Sequence, residues 1–397
     1  MSIQKYPQDG LEDVQVNISG ITTFHVYNLA MQMQRLGLLK TYYTALPTSR
    51  TPGIRSDKVK RAPVLLGPTY LTRKLGLSRL ESTLEKPTHD LFSRWLAANV
   101  TSCDVFHSLS GFGLSAFTLV KNKYNAATIC DRGSTHILFQ DEILQEEYKL
   151  WGIPYKRIDP RIVDTEIAEY ETCDLITVPS KFVYETFLAK GVPPNKLAVI
   201  PYGVDMDTFR PLAKTDKIFR AIYVGQISLR KGIPYLLEAF ANFNLPNFEF
   251  MMVGKLGADL KDFFLNNKGN CIYFGPKPRT ELYQWYSRAS VFIIASIEDG
   301  LATVIAQAMA CGLPIVATKN TGAEELIADG VEGFIVPPRD PAALREKIQY
   351  LYENPDIRLQ MANAALEKVK RLGGWDDYGK RIAAAYQDAY CKVSDEI

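Results

Sequence analysis

The stretch SIEDGLATVIAQAMACGLPIVATKNT, Ser296 to Thr321, decides the fold. Ahead of it, Val291-Phe292-Ile293-Ile294-Ala295 is an apolar run that reads as a buried strand, and Glu298-Asp299-Gly300 is a short acidic glycine loop. The spacing predicts a helix from about Leu301, stopped by Gly312 and Pro314 before a second strand, Ile315 to Ala317. Strand, loop, helix, strand is the repeating unit of a parallel α/β sheet. Such a loop aims the unpaired N–H groups of the helix start, and the positive end of its dipole, at the carboxyl end of the sheet, where a diphosphate fits. Asp299 and Gln307 lie eight residues apart, so one stays in the loop while the other sits two turns along the helix, both within reach of one ligand.

Working outward, the same alternation fills the second half of the chain. Strands are expected at Arg220 to Val224, Phe248 to Val253, Cys271 to Phe274 and Gly333 to Val336. Helices are expected at Ile233 to Phe243, Arg279 to Ala289 and Pro341 to Tyr352, followed by Ile357 to Arg371 and Trp375 to about Val393. Toward the N-terminus, Val14 to Ile18 is a strand that ends at Ser19-Gly20, and a helix closed by Gly37 follows. That turn lacks the G-x-G-x-x-G of a dinucleotide site, which counts against a nicotinamide-dependent dehydrogenase. Further strands are expected at Thr41 to Thr44, Asp104 to His107, Ala126 to Cys130, Leu175 to Val178 and Leu197 to Ile200, and Ser180 is placed to cap a helix from Lys181 to Ala189. Pro201-Tyr202-Gly203-Val204-Asp205 punctuates the midpoint. The expectation is therefore two domains, 1–203 and 204–375, with the final helix, about 376–397, packing back on the first.

At 397 residues, 47% hydrophobic and 23% charged, the chain is long enough for two cores and has the make-up of a soluble enzyme. A formal net charge of +2 argues against bulk nucleic-acid binding. The six cysteines form no C-x-x-C pair and read as buried apolar residues of a reducing compartment. The polar N-terminus has no signal-peptide run, and no stretch approaches the ~18 apolar residues of a membrane span. A cytoplasmic protein is expected. From Arg50 to Arg94, however, ten Lys or Arg face only four acids, with Leu65, Leu66, Tyr70, Leu71, Leu75, Leu77 and Leu80 interleaved. This reads as either a solvated helical excursion or an amphipathic insertion in peripheral contact with an anionic membrane.

Three strings in order, VPSKFVYETFLAKGVPPNKLAVIPYGVDMDTFRP (178–211), YVGQISLRKGIPYLLEAF (223–240) and SIEDGLATVIAQAMACGLPIVAT (296–318), resemble the retaining glycosyltransferase family 4 group. The resemblance implies the GT-B fold: two facing Rossmann-like domains, with the nucleotide-sugar donor on the second and the acceptor on the first. It also implies a retaining, metal-independent transfer from a UDP- or GDP-sugar to a hydroxyl of a glycan or lipid-linked acceptor, in cell-envelope polysaccharide or glycolipid synthesis. No cofactor beyond the donor is implied. Attack on the same face as the leaving group, with the departing β-phosphate as base, goes with that reading.

Cleaving a nucleotide sugar builds negative charge on the leaving phosphate, which fixed donors must neutralise where no metal is used. Lys231, before Gly232 at a strand-to-helix turn, matches the family's diphosphate lysine, with Arg230 beside it and the N–H groups of Leu301, Ala302 and Thr303 adding the field of the helix start. The chain departs from the family in two places. Gln226 stands where an arginine is usual, and Asp299 and Gln307 stand where the family has a Glu, seven residues, Glu signature. Asp299 can accept from sugar hydroxyls and Gln307 can bond a ribose through its amide, since neither role moves a proton. Glu325 matches a family glutamate behind the phosphates, and Gly20 a reduced form of the first-domain glycine loop.

On the acceptor side His25, His107, Asp131 and Arg132 are candidates. His136, with Asp131 as its neighbour, is the histidine expected near the sugar or the acceptor hydroxyl; His107 reads as structural and His89 as a surface residue. Asp205-Met206-Asp207 has the spelling of a metal motif but lies in the linker, and no metal site is expected. The rival readings are a GT-B epimerase or hydrolase, which would release or isomerise the sugar, and a nucleotide-sugar-binding protein without catalysis.

Overall fold

The computed structural model describes residues 14–21, 25–62, 78–241 and 243–395. Strands β1 (Val16–Ser19), β2 (Leu39–Thr44), β3 (Val59–Arg61), β4 (Val105–Leu109), β5 (Ala127–Asp131), β6 (Leu175–Val178) and β7 (Leu197–Val199) form one parallel sheet in the order β3-β2-β1-β4-β5-β6-β7. A second parallel sheet, β10-β9-β8-β11-β12-β13, takes β8 (Phe219–Val224), β9 (Phe248–Val253), β10 (Ile272–Tyr273), β11 (Val291–Ile294), β12 (Ile315–Thr318) and β13 (Gly333–Val336). Strands covered by helices on both faces lose the alternation of a half-exposed sheet, and all four residues of β1, β6, β11 and β12 are buried. The architecture is α/β, two Rossmann-like domains. Strand order reverses between β1 and β4 in the first sheet and between β8 and β11 in the second, and ligands of open parallel sheets bind at the carboxyl ends beside such reversals.

Several expectations need correction. The helix expected from Leu301 runs Thr303–Ala310. The helix expected at Arg279 to Ala289 is a 3₁₀ turn followed by the short helix Leu282–Tyr286. Strand β3 and the helices Leu114–Tyr124, Ile137–Leu150 and Lys261–Asn267 were not anticipated. Of the cysteines, five are buried but Cys391 is exposed. His89, expected at the surface, is half-buried against Phe112, the rings tilted and their centroids 4.3 Å apart. Much of the basic 50–94 segment, including Leu65 to Leu77, lies outside the described residues; its C-terminal part is the helix Ser78–Asn99, which buries Phe92 and Leu96 and packs on Leu114–Tyr124.

The chain crosses between the domains twice. At Gly203 it leaves the first sheet, and at Gly374 it returns into the final helix, Trp375–Asp395, which packs on the helix His25–Arg35 and on β5. A Cβ at Gly203 would lie 2.5 Å from the Gly374 carbonyl, so the two crossings touch backbone to backbone. Asp205 closes the turn after the first crossing, its carboxylate accepting from the N–H groups of Asp207 and Thr208. Among the described residues no helix is long and apolar enough to cross a membrane.

Candidate functional site

At the carboxyl end of β8 the chain turns through Gly225 and Gln226, where the Tyr223 hydroxyl donates to the Gln226 carbonyl at 2.7 Å and the Gln226 side chain stays exposed. A 3₁₀ turn, Leu229–Lys231, leads to Gly232, whose φ of +65° and whose hypothetical Cβ, 1.9 Å from the Ala295 carbonyl oxygen, admit only glycine. This close approach seats the turn against the end of β11. Lys231 therefore meets Asp299: ammonium and carboxylate pair directly, with 13% and 15% of each side chain exposed. Burial pulls the Lys231 pKa down, and the Asp299 charge opposes it. Arg230 donates to the Glu298 carbonyl at 3.0 Å and carboxylate at 3.1 Å, and lies 4.0 Å from Asp299.

No side chain caps the start of Thr303–Ala310. Of the three N–H groups expected to face a ligand, that of Ala302 is spent on the Thr321 carbonyl at 3.0 Å, so the field of the helix start falls to its neighbours. Gln307 is nearly buried; its amide oxygen accepts from Tyr286 at 3.1 Å. Glu325 departs from its expected place. Its carboxylate reaches across to the first domain and accepts from the Lys181 N–H at 2.6 Å, adding to the Ser180 cap of helix Lys181–Ala189.

In the first domain Gly20 follows β1, and a Cβ there would sit 2.7 Å from Val26; residues 22–24 of this loop lie outside the described residues. Asp131, at the end of β5, accepts from His25 at 2.6 Å and from Thr177 at 3.2 Å, and His107 Nε2 lies 3.2 Å away. Burial raises the Asp131 pKa, but the charges and hydrogen bonds of the two imidazoles outweigh it and hold the carboxyl well below the usual range. Tyr386 of the final helix bonds His107 Nδ1 at 3.0 Å, and Tyr202 stacks on His25.

His136 is elsewhere. Its ring packs on Tyr170 and Phe187, centroids 5.1 and 4.9 Å away, and its Nδ1 caps its own helix by accepting from the Leu138 N–H. Burial, then Arg132, lowers its pKa to about 4. The structure thus pairs Asp131 with His25 and His107, not with His136, whose ring is held by Tyr170, Phe187 and its own helix start. Arg132 is locked by Glu166 at 2.8 Å, Gln140 at 2.8 Å and the Thr135 carbonyl at 3.1 Å.

The two halves close on each other. A Cβ at Gly300 would fall 1.9 Å from the Gly133 carbonyl oxygen, and Ser180 donates to the Gly300 carbonyl at 2.6 Å. Glu298, fully buried, accepts from the Thr135 N–H at 3.2 Å, the Thr135 hydroxyl at 2.9 Å and Gln140 at 3.1 Å. Glu147 accepts from Tyr235 at 2.8 Å and Arg339 at 2.7 Å. Sequence reasoning missed these cross-domain acids. The available signal for Glu298 was an acid in the short loop that follows a buried strand. Tyr202 registers the closure: after burial, the charges of Asp131 in its own domain and of Asp299 in the other raise its pKa. Among the described residues no group of three or more His, Cys, Asp or Glu is placed to hold a metal.

Two family models tile the chain: Glycosyltransferase Family 4 over residues 22–208 and Glycosyl transferases group 1 over residues 206–368. A D-inositol 3-phosphate glycosyltransferase of Frankia alni is 27% identical, over 94% of this chain and 95% of its own. A second protein of that description, from Xylanimonas cellulosilytica, aligns over 51% of this chain and 53% of its own length, also at 27%. Among solved structures, sucrose-phosphate synthase from Thermosynechococcus elongatus superposes with a TM-score of 0.74 at 19% identity, covering 96% of this chain and all of that one. Anabaena HepE in complex with UDP gives 0.66 at 15% identity, covering 94% and all of that chain. The paired sheets, the lysine turn facing an uncapped helix start, and the two contiguous family matches together place this chain among the family 4 glycosyltransferases of GT-B fold.

Proposed function

We propose that the chain transfers a sugar from a UDP- or GDP-sugar to a hydroxyl of a glycan or lipid-linked acceptor, with retention and without a metal, in cell-envelope polysaccharide or glycolipid synthesis. The observation that carries this reading is the Lys231–Asp299 pair at the start of helix Thr303–Ala310. An incoming diphosphate takes the ammonium, supported by Arg230 and the helix-start field, and Asp299 turns to accept from sugar hydroxyls. Gln307 holds the ribose while Tyr286 fixes its amide oxygen. With Lys231 and the backbone field neutralising the leaving phosphate, the reading needs no divalent ion.

In the transfer itself, the bond from the anomeric carbon to the phosphate oxygen breaks with its electron pair on that oxygen. The acceptor oxygen bonds the same face of the carbon, and its proton passes to the departing phosphate. The acceptor enters from the first domain, where a cavity of about 690 Å³ is lined by four cations, Arg132, Lys156, Arg157 and Arg161, and three acids, Glu85, Asp159 and Glu166. Such a lining of donors and acceptors of both signs suits a hydroxyl-rich acceptor. The basic 50–94 segment brings the protein to an anionic membrane surface if that acceptor is lipid-linked.

A thermal-shift screen of nucleotide sugars tests the reading, since a ligand of the folded state raises the midpoint with its concentration. One UDP- or GDP-sugar should stand out and be consumed only with an acceptor present. Sugar released or isomerised without acceptor would indicate a hydrolase or epimerase, and binding without turnover a binding protein; either overturns the proposal.

A further inference from the structure

We infer that Glu298 is a positioning residue that couples closure of the two domains to the arrangement of Arg230 and Lys231 around the donor phosphates; this rests on the transfer reading above. A carboxylate with no exposed surface is costly unless its oxygens are satisfied. Glu298 draws its donors from both sides of the interface: Arg230 from the second domain, and Thr135 and Gln140 from the first. When the domains part, the first-domain donors leave and water must replace them. The carboxylate is therefore dry and fully bonded only in the closed arrangement.

The same residue stands in a row of alternating charges. Glu166 pairs with Arg132 at 2.8 Å, and Arg132 donates to Gln140 at 2.8 Å. Gln140 donates to Glu298 at 3.1 Å, and Arg230 does so from the far side. Arg230 lies 4.0 Å from Asp299, which holds Lys231. The row runs from the wall of the first-domain cavity, which Glu166, Arg132 and Gln140 line, to the lysine assigned to the donor. Buried networks of this kind act as units, so a displacement at one end is felt at the other.

The consequence is specific. Closing the first domain on Glu298 draws its carboxylate onto Thr135 and Gln140 and sets Arg230, through that carboxylate and the Glu298 carbonyl, beside Lys231. Opening strips Thr135 and Gln140 from the carboxylate and leaves Arg230 as its remaining side-chain donor, so the guanidinium is drawn onto Glu298 and away from the phosphates. An amide at position 298 cannot reproduce this, because its NH₂ must face a donor on Thr135, Gln140 or Arg230.

The experiment compares wild type, Glu298→Gln and the double variant Thr135→Val/Gln140→Leu, which leaves the Glu298–Arg230 pair intact. Small-angle scattering of the ligand-free proteins gives the radius of gyration, and initial rates with the nucleotide sugar selected by the screen give kcat/KM. Both variants should expand and lose about 5- to 150-fold in kcat/KM, the span of a typical coupling between two sites. A lower rate in Glu298→Gln with the radius of wild type would confine the residue to its own domain and overturn the inference. So would melting midpoints that fall while radius and rate stay at wild type. Wild-type protein that turns over no nucleotide sugar would defeat the transfer reading, while the scattering arm would still decide whether Glu298 holds the domains together.

Discussion

Gly300→Ala adds one methyl group at the point where the two domains touch. Its position is dictated by space, since Gly300 is not among the glycines in the left-handed region. The new Cβ would lie 1.9 Å from the Gly133 carbonyl oxygen and 2.7 Å from its carbon, and ordinary contact begins at 3.4 Å, so the loops must part by about 1.5 Å. Neither partner is a flexible side chain, and Gly322 and Ser180 close the other side: the Gly300 carbonyl lies 2.6 Å from a Cβ built at Gly322 and accepts from Ser180. The displacement is therefore passed to the domains. A misplacement of ~1 Å between reacting groups costs about 100-fold in rate, and that is the expected loss in kcat/KM. Nucleotide affinity should stay near wild type, because the lysine turn and helix start belong to one domain, and so should the melting midpoint. Steady-state kinetics, calorimetry with the selected nucleotide, and a melting curve form the assay. Wild-type kcat/KM in Gly300→Ala, with an unchanged radius of gyration, would refute closure through this contact.

Other consequences can be checked alongside. Lys231→Ala should lower kcat by about 10²- to 10³-fold, the loss typical of one fixed donor to developing charge. Its midpoint should hold, since Arg230 remains 4.0 Å from Asp299; undiminished turnover would remove the phosphate role. His136 is kept neutral by burial, so its stabilising contribution is complete above its ordinary pKa of 6.5 and is lost as pH falls toward about 4. Full protonation costs on the order of 3 kcal/mol, and His136→Asn, which keeps a capping oxygen but cannot titrate, should flatten the acid limb of a midpoint-against-pH curve; an identical limb would show that another group governs it. Finally, if residues 50–94 dock on anionic lipid, the protein should sediment with phosphatidylserine vesicles at low salt and dissociate as salt rises; no sedimentation at low salt excludes this docking.

The second domain was legible because burial on both faces turns a strand into a short apolar word: Val291 to Ile294 and Ile315 to Thr318 can scarcely be read otherwise. Glycine and proline then mark the turns between them. The same logic fails at β3, an edge strand reading Val-Lys-Arg, and at Lys261–Asn267, too short to show a helical period. It also fails for Ile137–Leu150, whose buried face includes Asp141 and Glu147. Hydrophobic periodicity cannot register an acid that is buried because Arg339 and Tyr235 come to it from the other domain. The site shows the same divide. Asp299 was marked by its acidic glycine loop and Lys231 by the family resemblance and its place before Gly232, whereas the partners of Asp131 lie 106 and 24 positions away in His25 and His107, a separation that no local pattern encodes.

The hinge offers a discriminating case. Because the chain crosses at Gly203 and returns at Gly374, and a Cβ at Gly203 would meet the Gly374 carbon, its oxygen and the Trp375 nitrogen all at 2.5 Å, the crossings form a tight seam of backbone. A methyl there has no side chain to displace, so Gly203→Ala must separate the crossings themselves, at the few kcal/mol typical of overpacking. The final helix is anchored to the first domain by the Tyr386–His107 bond and by Arg381, which donates to the Pro201 carbonyl at 2.9 Å, so the strain cannot dissipate by freeing the C-terminus. Gly203→Ala should therefore lower the melting midpoint by several degrees as well as change the radius of gyration, whereas Gly300→Ala should change the radius and the rate with little effect on melting. If Gly203→Ala melts and scatters like wild type, the crossings are not the seam about which the domains are set, and closure must be governed by the Glu298 and Gly300 contacts at the far side of the cleft.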